Sequence, residues 1–189
     1  MIGLKRGSVA LLSHQEEWDR SAENVILELK RLFGNAAVDI QHVGSTAIHS
    51  ICAKPIIDIV IGLRDLNDIS PYIKLLEEHS FIFRGEDVAG QMLFVMGDFE
   101  KDTRTHHIHA VKWNGTAWNN YINFRDYLNC HTDKAMLYDA CKKKLALQFS
   151  NDRKSYTEGK QECIEYLLKE ASVWRQRQDT CYNSHPAII

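Results

Sequence analysis

The chain has 189 residues, the length of about one domain, with 44% hydrophobic and 25% charged residues, an ordinary globular mixture. Its formal net charge of −2 speaks against nucleic acid as the main partner, since nucleic-acid binders carry a basic excess. Cys52, Cys130, Cys141, Cys163 and Cys181 are odd in number and widely spaced, with no C-x-x-C pair, which argues against both a disulfide framework and a zinc knuckle. Free thiols, no leader-like apolar run and no ~18-residue apolar stretch together give the expectation of a cytoplasmic protein without a membrane span.

The first helix is expected to open at Ser13 and Glu16, which form a capping-box pair. Trp18, Ala22, Val25, Ile26, Leu29 and Phe33 then share one face of a 3.6-residue period, and Gly34 is a natural stop. A strand is predicted at residues 37–43 and another at 56–63. In the latter, Ile57, Ile59, Ile61 and Leu63 alternate with Ile56, Asp58, Val60 and Gly62, so both faces are mostly apolar and the strand should be central. Ser70 and Pro71 are read as N-cap and N1 of a second helix ending near His79. Short strands follow at 81–84, 92–96 and 107–112, then helices at 118–128, 133–149 and 153–174. Residues 1–174 are expected to form a single domain, and 175–189, without periodicity, a flexible tail. The outline is an α/β (α+β) fold: a mixed β-sheet flanked by helices, with a helical C-terminal third.

Four places could carry chemistry. Gly44-Ser45 ends a strand and turns at once into a short helix, where amides and a hydroxyl can meet phosphate. Asp58, an acid in a run of isoleucines, is costly enough to bury that it wants a reason, and metal binding is one. A tight turn and a satisfied buried acid are an equal alternative. Next, Arg104 precedes His106-His107-Ile108-His109. His107 and His109 share a strand face and His106 points the other way, a pattern for one metal or one phosphate as well as for idle half-exposed imidazoles. Last, Arg125, between Phe124 and Leu128, could reach a cleft or make a surface ion pair, and Tyr156-Thr157-Glu158-Gly159-Lys160 reads as a solvated helix face.

His42-Val43-Gly44-Ser45-Thr46-Ala47, Ala53-Lys54-Pro55-Ile56-Ile57-Asp58-Ile59, Thr105-His106-His107-Ile108-His109, Phe124-Arg125-Asp126-Tyr127-Leu128 and Tyr156-Thr157-Glu158-Gly159-Lys160 stand in the order of the GrpB family, which the chain resembles over roughly residues 8 to 170. That family is similar to nucleotidyltransferases, whose Gly-Ser is followed after about a dozen residues by paired acids. Here residues 46 to 57 separate Ser45 from Asp58. The resemblance implies a nucleotidyltransferase-like fold, phosphate or nucleotide contact by Gly44 and Ser45 with Lys54 as a partner, and a catalytic, metal-binding Asp58; the residues themselves add Arg104 and Arg125 to the anion contacts and His107 and His109 to Asp58 as ligands of a divalent metal (Mg²⁺ or Mn²⁺, with Zn²⁺ also suited to imidazoles). Two departures stand out: Val60 where the second acid belongs, and His49-Ser50 where the family commonly has Pro-Gly. The expected activity is metal-dependent nucleotidyl or phosphoryl transfer to a small molecule, with a nucleotide or phosphorylated small molecule as partner. The alternative is an inactive nucleotide- or coenzyme A-related binding module, because related domains are fused to dephospho-CoA kinase in some bacteria.

Overall fold

The computed structural model describes residues 1–184. In chain order the elements are β1 (Leu4–Lys5), α1 (Glu16–Phe33), β2 (Ala37–Val43), a 3-10 turn (Ser45–Ala47), β3 (Ile57–Leu63), a 3-10 stretch (Leu66–Tyr72), α2 (Ile73–Glu78), β4 (Ile82–Val88), β5 (Gln91–Met96), β6 (Thr103–Arg104), β7 (His106–Lys112), α3 (Thr116–Cys130), α4 (Thr132–Gln148), α5 (Arg153–Gly159) and α6 (Gln161–Ser184). The main sheet has the order β2-β3-β7-β5-β4, and β1 pairs with β6 outside it. Only β3 and β7 run parallel; β2–β3, β7–β5 and β5–β4 are antiparallel.

The interior place of β3 in this sheet follows from its alternation. Ile57, Ile59, Ile61 and Leu63 are buried against the apolar face of α1, where Trp18, Leu29 and Phe33 join them. On the other face Val60 packs with Val43, Val111 and Trp118 of α3. Gly62 lies there too: a Cβ at this position would stand 2.7 Å from Trp113 and 2.9 Å from Trp118. A third apolar cluster holds the helical lobe together, with Ile48 and Ile51 from the loop after β2 set among Tyr127, Leu128, Tyr138 and Leu167. Among the described residues, no helix is long and apolar enough to cross a membrane.

Four local expectations are corrected. The Ser13–Glu16 capping box does not form: the N-cap is Gln15, with no side-chain cap. The bridge between Leu12 and Ala53 keeps the chain extended ahead of the helix, and Glu16, Glu17 and Asp19 in the first turn meet the positive end of its dipole instead. Ser70 and Pro71 do not open the second helix: Asp65 and Asp68 make a reciprocal capping box that starts a 3-10 stretch with Pro71 inside, and α2 follows at Ile73. The final helix is two: α5 ends at Gly159, where a Cβ would stand 2.6 Å from the tip of the Leu145 side chain of α4. Regular structure does not stop at Trp174, since α6 continues to Ser184. The remainder of the expected tail, 185–189, lies outside the described residues.

Candidate active site

The sheet register gathers the motifs at one end. Asp58, near the start of β3, is paired with Val43 on one side and with His107 on the other, while Val60 is paired with His109. Paired residues share a sheet face, so Asp58, His107 and His109 converge. His107 Nδ1 lies 3.3 Å and His109 Nε2 3.7 Å from the same oxygen, Asp58 Oδ1. Burial pushes the Asp58 carboxyl up, but the hydrogen bond with His107 and the nearness of both imidazoles outweigh it, and the net direction is strongly down. Asp58 is therefore a carboxylate, 28% exposed at the floor of a cleft.

Gly44 makes this arrangement possible. Its φ of +70° and ψ of −168° lie in a region essentially reserved for glycine. A Cβ there would sit 2.4 Å from Asp58 Oδ2. The turn thus lies directly against the carboxylate. Ser45 opens a 3-10 turn of only three residues, too short to offer a helix dipole. Tyr138 of α4 lines the same cavity as Ser45, and burial pushes its hydroxyl up to about 12.

Two adjoining cavities, of about 350 and 360 Å³, share Ser45, Asp58, Tyr121 and Lys160. One is cationic: besides His107 and His109 it is lined by Lys54, Lys142, Arg153 and Lys160. The other runs under α3 and α6, past Asn120, Phe124, Ile164 and Leu168, and is largely apolar. The lysines are poorly solvated. Lys142 is 1% exposed, donates to the Cys52 carbonyl and is lowered to about 7 by burial. Lys54 is lowered to about 8, by burial first and then by Lys160. Both ammonium groups sit on the Tyr156 ring, 5.2 and 5.0 Å from its centroid. Asp139 next to Lys142 accepts from the Cys52 amide at 2.7 Å, so α4 holds both polar groups of the Cys52 backbone.

Of the residues singled out in the sequence, Gly44, Ser45, Lys54, Asp58, His107 and His109 come together. Arg104 and Arg125 line neither cavity. The Arg104 guanidinium is buried over the Phe99 ring, donates to the Thr103 carbonyl at 2.9 Å and pairs with Asp102 at 3.5 Å. Arg125 donates to Gln41 Oε1 and to the His42 carbonyl, each at 2.9 Å, and pairs with Asp126 at 2.7 Å. It clamps the end of β2 to α3. His106 does face away, with Nε2 3.0 Å from Ser21, and burial lowers its pKa to about 4. Tyr156 and Lys160 do not belong to a solvated face; they wall the cationic cavity. Lys142, Arg153, Tyr121 and Tyr138 were not legible as site residues. The only signal was a Tyr and a Lys four apart on one helix, which is commonplace.

A sequence profile described as GrpB protein matches residues 8–170. The chain belongs to the GrpB family. It is 37% identical over 173 residues to the Glutamate-rich protein GrpB of Alkalihalophilus pseudofirmus, covering 90% of this chain and 99% of that one. It is also 32% identical over 183 residues to the UPF0157 protein YqkA of Bacillus subtilis, covering 93% of this chain and 52% of that one. Among solved structures, GrpB from Enterococcus faecalis superposes with a TM-score of 0.79 at 25% identity, covering 87% of this chain and 99% of that chain. The Cid1 poly(U) polymerase bound to MgGTP superposes with a TM-score of 0.50 at 14% identity, over 72% of this chain and 44% of that one. At that identity the likeness establishes the fold, which is nucleotidyltransferase-like.

Proposed function

We propose that the double cleft binds a nucleotide or another phosphorylated small molecule together with a divalent cation, and transfers a nucleotidyl or phosphoryl group. The observation that carries the reading is a single ionised acid, Asp58, facing two imidazoles at the junction of a cationic and an apolar cavity. Lys54, Lys142, Arg153 and Lys160 would hold the anionic part. The apolar side, with Asn120 and Phe124, would take the uncharged part.

The donors suit a cation. The donor atoms of Asp58, His107 and His109 lie within 4.8 Å of one another. Two nitrogens and one oxygen favour Mn²⁺ or Zn²⁺ over Mg²⁺. When bound, such an ion supplies charge stabilisation at a phosphoryl oxygen. Gly44, by its missing side chain, lets the turn lie directly against the carboxylate.

A second reading, a binding module without turnover, is favoured by Val60. It stands where a second acid would be expected and is 0% exposed, packed between Val43 and Val111, so no room exists for a further carboxylate without loss of core. The test is thermal unfolding of wild type and Asp58→Asn against nucleotides and coenzyme A, with and without Mn²⁺. A ligand at a hundred times its dissociation constant adds about 2.7 kcal/mol. A metal-dependent rise in Tm that Asp58→Asn abolishes is expected. A ligand shift that ignores both metal and Asp58 favours the module, and no shift with any compound refutes the cleft as a nucleotide site.

A further inference from the structure

A second convergence of imidazoles lies outside the cleft. Asp19, in the first turn of α1, faces His14 from the segment before the helix, His42 from β2 and His49 from the loop after the 3-10 turn. Its carboxylate oxygens are 2.9 Å from His14 Nε2, 3.6 Å from His49 Nε2 and 3.6 Å from His42 Nδ1. Donor atoms of His14, Asp19 and His49 all lie within 4.8 Å of one another.

We propose that His14, Asp19 and His49 form a transition-metal site, suited to Zn²⁺, that is separate from the Asp58 site. Ligands held ~2.0–2.2 Å from a tetrahedral zinc ion lie about 3.4 Å from each other, close to the separations found here. The charge balance points the same way. Among the described residues, every group that pairs with Asp19 within 4.0 Å is an imidazole, and none is a lysine or arginine. His42 stands beside the cluster, with Nδ1 3.6 Å from Asp19 Oδ1. Its other nitrogen, Nε2, is 2.9 Å from Thr46 Oγ1, so it serves as the outer partner that orients the Asp19 carboxylate. A groove lined by Asp19, His42 and His49 opens beside the cluster and gives an ion access to it. An ion here would tie the segment before α1 to the loop that leads from Ser45 to Lys54.

The test uses the full chain carrying Asp58→Asn, so that the cleft no longer offers its carboxylate. Calorimetric titration with Zn²⁺ should give one site per chain. Adding His49→Ala should weaken that site at least tenfold, and Asp19→Asn should do the same. His49 is 67% exposed, so its replacement leaves the fold intact, which an unchanged metal-free melting curve verifies. The proposal is overturned if the Asp58→Asn protein binds no Zn²⁺, or if it binds equally well after His49→Ala.

Discussion

Replacing Gly44 by alanine tests whether the turn and the carboxylate are one device. Two costs can be read from the structure. The backbone at φ +70° and ψ −168° is strained for any residue with a side chain, at about 1–3 kcal/mol. The new methyl would also lie 2.4 Å from Asp58 Oδ2 and 2.8 Å from Asp58 Cβ, about 1 Å inside ordinary contact of ~3.5 Å. Asp58 belongs to the central strand and cannot retreat, so either the turn or the carboxylate must move by about that distance. A shift of ~1 Å at a reacting centre can cost about 10²-fold in rate. The expected result of Gly44→Ala is a Tm lower by roughly 2–12 °C, at ~2–4 °C per kcal/mol, together with loss of the Mn²⁺-dependent stabilisation. Gly85→Ala is the control: its φ is +83° but nothing lies within 4 Å of the added Cβ, so it should lose stability and keep the Mn²⁺ response. If Gly44→Ala melts like wild type and still responds to Mn²⁺, the packing argument is wrong.

Inorganic pyrophosphate should bind the cationic cavity more weakly as pH rises from 6.5 to 8.5. Lys142 and Lys54, lowered by burial to about 7 and about 8, lose their protons across that range, and the charged forms are the ones that attract an anion. Calorimetry at several pH values checks this, and a dissociation constant independent of pH would refute it. Arg125→Lys should lower stability by about 1–3 kcal/mol, because a lysine cannot reproduce the forked contacts to Gln41, the His42 carbonyl and Asp126. Its pyrophosphate affinity should stay at the wild-type value; a selective loss of affinity would return Arg125 to the binding residues.

The amino-acid pattern alone carried the central strand, because Ile57, Ile59, Ile61 and Leu63 alternate with a second, mostly apolar set, and only a doubly covered strand satisfies both. It carried α1 and its Gly34 stop for the same local reason. The facing of His107 and His109 toward one side also followed from the two-residue period. The ends of elements were less legible. Ser13–Glu16 and Ser70-Pro71 are sound capping chemistry, yet the Leu12–Ala53 bridge and the Asp65–Asp68 box decided where the helices began. Arg104 and Arg125 looked like anion ligands because a lone arginine does not reveal its acceptor; the folded chain gives each a carbonyl and a carboxylate.

What only the tertiary structure decided is the site's composition. The parallel pairing of β3 with β7 sets Asp58 beside His107 across 49 residues of chain. The packing of α4 and α5 against the loop after β2 brings in Lys142, Arg153 and Lys160. Periodicity tells which way a side chain faces within its own element. Which elements then share a cleft depends on how three apolar clusters close together, and that is a property of the whole chain.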